Sequence, residues 1–381
     1  MPPSVAPTTS ARQARRRARR GLRITIVLPP PADRPTGGYK VQYDNASYLA
    51  STGNRVTIVH EFLRLHSRAR TLAVNARYVL AATVRHPCVI GWYTFPPGVR
   101  VLFVPKLHPY VLPPADITIL TAWQTSAQIA KRTSWTGPLM QVVYDYEFWL
   151  TATPGIQRQI EAAFLRPDVF HVASSTVVSD MLNSIGVSPR ALVVPGIDTD
   201  SFRQTVDPAQ RAAVIGFPLR PEAHKGTEDA LEAAAIISRT RPWVRFVGFG
   251  DRWTGPLPAA VTSLGYVTER ELVDFYNSLS VFVLPSRYEG WGLPAAEAMA
   301  CGAAVVCADN GGSRDFAIDG ETALIVPPHQ PQALADAICR LLDDDNLRKR
   351  LADAGKARAQ VMSLKASASM LRQAIDQAME L

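Results

Sequence analysis

Two carboxylates and two cations in the second half of this chain have the types and spacing to do chemistry together. Glu289 and Glu297 are separated by seven residues in the run PSRYEGWGLPAAEAMACGAAVVCADNGGSRD, residues 285–315. A carboxylate repels phosphate but accepts hydrogen bonds from hydroxyls, so the pair suits a sugar. Spacing alone also fits a plainer account, in which Glu297 complements the dipole of a helix's opening turn and Glu289 is solvated. Arg220 and Lys225 lie upstream in GFPLRPEAHKG. They stand just ahead of a helix that Thr227 is expected to N-cap, so side-chain charge and helix dipole converge on one anion-binding spot. The plainer account here is two solvated loop cations.

The elements that must position these residues follow from hydrophobic patterning. Val281-Phe282-Val283-Leu284 ends a buried strand, Arg287 to Gly292 forms a loop, and a helix runs from Pro294 to Cys301. Proline suits the first helical position and Gly302 a left-handed cap. A strand over 303–307 and a turn at Gly311-Gly312 follow. This order of strand, loop, helix and strand brings backbone N–H groups toward a phosphate.

The same alternation runs through the whole chain. LRITIVL, residues 22–28, reads as a strand buried on both faces. A helical pattern over 39–52 closes at Gly53, a strand follows at 56–59, and Gly37-Gly38 sits at the loop-to-helix junction. Further strands are expected at 89–95, 101–104, 117–120, 139–144 and 169–173, with helices at 123–131, 155–165 and 174–186. After PGIDTDSF, residues 195–202, the pattern restarts with strands at 213–217 and 244–247 and a helix over 269–278. Amphipathic helices are expected at 331–342, 346–360 and 364–379. These alternations predict an α/β protein of two doubly wound Rossmann-like domains.

The 285–315 run resembles the C-terminal signature of retaining glycosyltransferases of family 4. Ser286, Glu289, Gly290, Gly292, Leu293, Pro294, Glu297, Ala298, Met299, Ala300, Cys301 and Gly302 all match S-x-x-E-G-x-G-L-P-x-x-E-A-M-A-C-G. The resemblance implies a GT-B architecture, two domains facing across a cleft with the final helix crossing back onto the first. The expected units are a basic arm over 1–20, an acceptor-side domain over 21–195, a donor-side domain over 196–361, and the returning helix over 362–381. It implies a nucleotide-diphospho-sugar donor held by Arg220 and Lys225 at the diphosphate, Glu297 at the ribose and Glu289 at the transferred sugar. Gly248, Gly250, Gly290, Gly292 and Leu293 would border the donor, and Gly37 and Gly38 would line the cleft near its phosphates and the acceptor. The loop Asp309-Asn310-Gly311-Gly312 would add backbone donors. The implied chemistry is front-face transfer with retention, needing no enzyme nucleophile, no cofactor and no metal.

One departure concerns a histidine that many members carry after a mid-domain strand of the first domain. The corresponding stretch here, ITILTAWQ, has none. Asp145-Tyr146-Glu147 is the candidate to take over part of that role. An Asp-Tyr-Glu at this place resembles a subset acting on surface polysaccharides, rhamnosyltransferase-like members among them.

Composition bounds these readings. The chain has 381 residues, 47% of them hydrophobic, enough for two cores. No apolar run approaches the roughly 18 residues of a membrane span. The net charge of +8 is concentrated in ARQARRRARR, residues 11–20, which carries six arginines. Such an arm is a handle for anionic lipid, or a solvated tail; nucleic acid is not the expected partner. No apolar segment of a secretory signal follows it, so the expectation is a cytoplasmic protein, with peripheral contact at the inner face of the membrane through the arm. The cysteines Cys88, Cys301, Cys307 and Cys339 show no metal-binding spacing and read as reduced thiols. The leading expectation is transfer to a glycan or lipid-linked acceptor in cell-surface polysaccharide synthesis. A nucleotide-sugar hydrolase or epimerase, and an inactive nucleotide-sugar-binding partner, are the competing readings.

Overall fold

A computed structural model describes residues 21–61, 90–129, 131–145, 150, 152–250 and 252–380. The basic arm, Cys88, Tyr146 and Glu147 lie outside the described residues.

The first sheet is built from β1 (Arg23–Leu28), β2 (Arg55–Glu61), β3 (Val99–Val104), β4 (Ile117–Leu120), β5 (Leu139–Val143), β6 (Val169–Ala173) and β7 (Ala191–Leu192). Among the described residues they stand in the order β3-β2-β1-β4-β5-β6-β7, every neighbouring pair parallel. Helix α1 (Gly37–Ser51) covers one face, while α2 (Trp123–Gln128), α3 (Pro154–Phe164) and α4 (Thr176–Ser184) follow β4, β5 and β6. The second sheet, β8 (Val214–Pro218), β9 (Arg245–Phe249), β10 (Val261–Ser263), β11 (Val281–Leu284), β12 (Ala304–Ala308) and β13 (Leu324–Val326), has the order β10-β9-β8-β11-β12-β13 and is again parallel. Its helices are α5 (Thr227–Thr240), α6 (Glu269–Ser278), α7 (Leu293–Ala300), α8 (Pro331–Asp343) and α9 (Asp345–Val361). Both orders reverse beside the first strand of the domain, the place where a doubly wound sheet opens a crevice at the strands' carboxyl ends.

Two local expectations change, and two short strands are additional to them. Residues 90–95 contain no strand; Trp92, Tyr93 and Phe95 instead pack around Tyr43 of α1 in tilted and edge-on arrangements, with ring centroids 5.0–5.3 Å from it. Burying that much aromatic surface outweighs the strand propensity of the segment. Helix α2 stops at Gln128 rather than continuing to Lys131. The short strands β10 and β13 carry too few residues for a periodic signal.

The two domains are joined by two chain segments that lock side by side. Ile197 N–H donates to Met362 O and Leu364 N–H to Ile197 O, both at 2.9 Å, and the Ser367 hydroxyl donates to Val194 O at 2.6 Å. From this junction α10 (Leu364–Met379) returns to the first domain, burying Leu371, Ala374, Ile375 and Ala378 beside α1 and the first sheet. The approach is close because Gly196 has no side chain; a Cβ there would stand 2.7 Å from Leu364 Cα.

Gly196→Val forces those two segments apart and should cost about 1–3 kcal/mol, as other overpacked sites do. Thermal unfolding checks this: a lower melting temperature is expected, and an unchanged one would show that the junction does not constrain the fold.

Candidate active site

The site residues converge where the carboxyl ends of the second sheet face the first domain. Strand β8 ends at Pro218 and delivers Arg220, whose guanidinium carbon lies 5.5 Å over the Phe249 ring. Burial lowers its pKa, and Arg252 adds repulsion, but a guanidinium stays charged. Gly250 makes room for it: at φ +129, a Cβ there would meet Leu219 O at 2.2 Å and Arg220 Nη1 at 2.5 Å.

The turn Ala223–Lys225 follows and ends in left-handed Gly226 (φ +66), the N-cap of α5. Thr227 is therefore the first helical residue, not the cap. Its hydroxyl accepts from Arg220 N–H at 2.8 Å and donates to Arg220 O at 2.7 Å, fixing the loop from which the arginine projects. Lys225 Nζ then reaches Glu289 Oε2 at 3.1 Å, with side chains 19% and 14% exposed. His224, beside it, has its pKa lowered by burial and by Lys225, which keeps the ring neutral.

Glu289 is held by backbone: its N–H donates to Asn310 O at 3.1 Å, and it forms a parallel bridge with Gly311. The loop after β12 thus supports the loop after β11. Gly312 permits this, since a Cβ there would lie 2.4 Å from Glu289 O. Gly290 is pressed against the other domain, where a Cβ would meet Tyr144 O at 2.0 Å. Gly292, at φ +101, turns the chain into α7. Its next residue, Leu293, lies across from Gly37, 3.9 Å from where that glycine's Cβ would be, and a Cβ on Gly38 would touch nothing. Gly248 has a different place. It lies within β9 against Leu219, where a Cβ would stand 2.5 Å from Leu219 Cγ.

Glu297 departs from the opening-turn expectation. Helix α7 begins at Leu293, so Glu297 lies beyond its first turn, where it has little to gain from the dipole. It is 5% exposed, and the Tyr276 hydroxyl donates to it at 3.2 Å. Burial pushes its pKa up to about 8, opposed by Lys40 and the Tyr276 hydrogen bond. Lys40, on α1 of the first domain, was not among the sequence candidates. Its ammonium pairs with Asp44 at 2.8 Å and, across the cleft, with Glu269 at 3.3 Å. Burial works against that charge, but Asp44, Glu269 and Glu297 outweigh it and hold its pKa above the ordinary value. A second cross-domain contact has Thr176 N–H, at the start of α4, donating to Asp315 at 3.1 Å. Asp145, at the end of the segment after β5, lies within the field of the Lys225 charge from the first domain.

Chemically, the cleft presents two cations on a helix-start loop, a carboxylate held at one of them, and a second buried carboxyl with a tyrosine donor. Among the described residues no group of three or more His, Cys, Asp or Glu is placed to hold a metal ion.

Architecture and site together define a GT-B fold, two parallel-sheet Rossmann-like domains around a cleft. Residues 198–358 match the family described as glycosyl transferases group 1. The chain is 34% identical over 198 residues to a D-inositol 3-phosphate glycosyltransferase of Acidothermus cellulolyticus, covering 44% of this chain and 44% of that protein. It is 30% identical over 244 residues to an MMP alpha-(1->4)-mannosyltransferase of Mycolicibacterium hassiacum, covering 61% and 57%. The chain thus spans about half the length of the curated relatives it matches. Among solved structures, a sucrose-phosphate synthase from Thermosynechococcus elongatus superposes with TM-score 0.73 at 20% identity, over 93% of this chain and 98% of that one. Anabaena HepE in complex with UDP-glucose superposes with TM-score 0.69 at 16% identity, over 94% and 100%. At these identities the structural likeness shows the fold.

The Glu297 carboxyl gives the site a pH signature. Its folded-state pKa of about 8 is above the ordinary 4.5, so the folded protein holds a proton that the unfolded chain releases. Its contribution to stability is therefore present below about pH 4.5 and is lost as pH rises toward about 8. Glu297→Gln removes that loss while keeping an acceptor for Tyr276. Its melting temperature relative to the parent should rise between about pH 5 and about pH 8. A difference independent of pH would mean that Glu297 is already ionised in the folded protein.

Proposed function

We propose that this protein is a retaining, metal-independent glycosyltransferase that moves a sugar from a nucleotide-diphospho-sugar to a hydroxyl of a glycan or lipid-linked acceptor. The observation that carries the reading is the seating of Lys225 and Arg220 on one loop at the start of α5, with Glu289 at 3.1 Å from the lysine. The match of residues 198–358 to glycosyl transferases group 1 supports it.

Departure of the nucleotide diphosphate leaves growing negative charge on a phosphate oxygen. On this reading Arg220, Lys225 and the N–H groups opening α5 face that oxygen together, and a fixed array of this kind stabilises the charge without reorganising. A diphosphate arriving there competes with Glu289 for Lys225. The carboxylate so released has oxygens for the hydroxyls of the transferred sugar. Glu297, beside Tyr276, would accept from the ribose hydroxyls, and Gly248, Gly250, Gly290, Gly292 and Leu293 would border the donor. Gly37 and Gly38 open the first domain's wall to the acceptor, with Asp145 facing Lys225 across the gap. Two side-chain cations next to the diphosphate take the place of a divalent ion. The proposal extends to a surface-polysaccharide role of the rhamnosyltransferase-like kind, at the cytoplasmic face of a membrane reached through the arginines of residues 11–20.

Lys225→Ala tests the reading. Losing one stabilising donor of this type costs roughly 3–4 kcal/mol of barrier. Turnover of an accepted donor should fall about a hundredfold or more when both proteins are assayed well below their melting temperatures, because breaking the Glu289 pair also lowers the variant's stability. The parent's activity should survive EDTA, and product NMR should show the donor's anomeric configuration retained. A near-normal rate in the variant would remove Lys225 from the diphosphate site; inversion or EDTA sensitivity would remove the corresponding part of the mechanism.

A further inference from the structure

At the end of the first domain opposite the cleft, the starts of β1, β2 and β3 wall an open cavity of about 420 Å³. Arg23, Thr25, Arg55, Thr57, Arg100 and Pro114 contribute to its lining. The register pairs Arg23 with Arg55 and Thr57 with Arg100. Since alternate residues of a strand share a face, all three arginines and both threonines project from the same side of the sheet.

Like charges at paired positions of neighbouring strands destabilise a sheet. Here Arg23 is compensated by Asp116, at 2.8 Å. Among the described residues no carboxylate is paired with Arg55 or Arg100, both of which are exposed. Three guanidiniums less one carboxylate leave two positive charges around one concave space. Guanidinium forks pair bidentately with phosphate, and the threonine hydroxyls lie on the same face to donate to it.

We propose that this cavity binds a phosphate-type dianion, from a soluble phosphate ester or from the headgroup of an anionic phospholipid, independently of the donor cleft. The strands are parallel, so their starts and their carboxyl ends lie at opposite sides of the sheet. An anion here occupies none of the space used by Arg220, Lys225 or Glu289.

The test uses two full-length proteins. One carries Lys225→Ala, to weaken diphosphate binding in the cleft; the other carries Arg55→Gln and Arg100→Gln in addition. Calorimetric titration with inorganic pyrophosphate at low salt should show binding to the first that is at least about tenfold weaker in the second, a loss of about 1.4 kcal/mol. Without anion, the second protein should melt no lower than the first, because a like-charge contact has been removed. Flotation with phosphatidylcholine vesicles containing phosphatidic acid separates the sources. Greater recovery of the first protein assigns the headgroup; equal recovery, with the calorimetric difference, assigns a soluble ester. Equal pyrophosphate affinity together with equal vesicle recovery would overturn the assignment.

Discussion

The contact between Lys225 and Glu289 is what the rest of the cleft depends on. It joins the loop that opens α5 to the loop that opens α7, and both side chains are largely removed from water. Truncating one partner of a buried pair leaves the other charge uncompensated, so the two loops are tied in position as well as in chemistry. Everything around the pair serves that approach. Left-handed Gly226 carries a chain that could not pass Pro285 O with a Cβ, which would lie 2.1 Å from it. Gly312 lets the Asn310–Gly312 loop lie against the Glu289 backbone, and Thr227 ties down the backbone of Arg220.

The first domain completes the site by a few specific contacts. Gly290 abuts Tyr144 O, Asp315 receives the Thr176 N–H, and Lys40 reaches Glu269. These contacts, with the double-stranded junction at Ile197 and Ser363 and the return of α10, set the separation between the walls. Lys40 adds an electrostatic link, because the cation that bridges the domains also opposes protonation of Glu297. The ionisation of a carboxyl in one domain is thereby coupled to the position of a helix in the other.

Much of this was legible in the sequence, for reasons that differ from residue to residue. Arg220, Lys225 and Glu289 fall within short segments whose strand, loop and helix order puts them on loops at the carboxyl ends of neighbouring strands, whereas Glu297 lies beyond the opening turn that the pattern suggests. The three closing helices carry long apolar stripes and were placed within a residue or two. Lys40 was not legible, since with Asp44 four residues on it looks like a solvated helical pair. Only the closure of the two domains supplies Glu269. Thr227 has the sequence of an N-cap, but the left-handed Gly226 before it takes that position and frees the hydroxyl for Arg220. Gly248 leaves room for Leu219, a packing contact that local pattern does not show. For Lys40 and Gly248 the deciding contact comes from elsewhere in the chain.

The central claim is that a diphosphate sits between Arg220 and Lys225 at the start of α5. Calorimetric titration of the full chain with uridine, guanosine and adenosine diphosphates, set beside Arg220→Gln, measures it most directly. At least one nucleoside diphosphate should bind the parent and bind the variant about tenfold or more weakly, a difference of about 1.4 kcal/mol, with no change in fold. Equal affinity in the two proteins, or binding of none of the three by the parent, would contradict it.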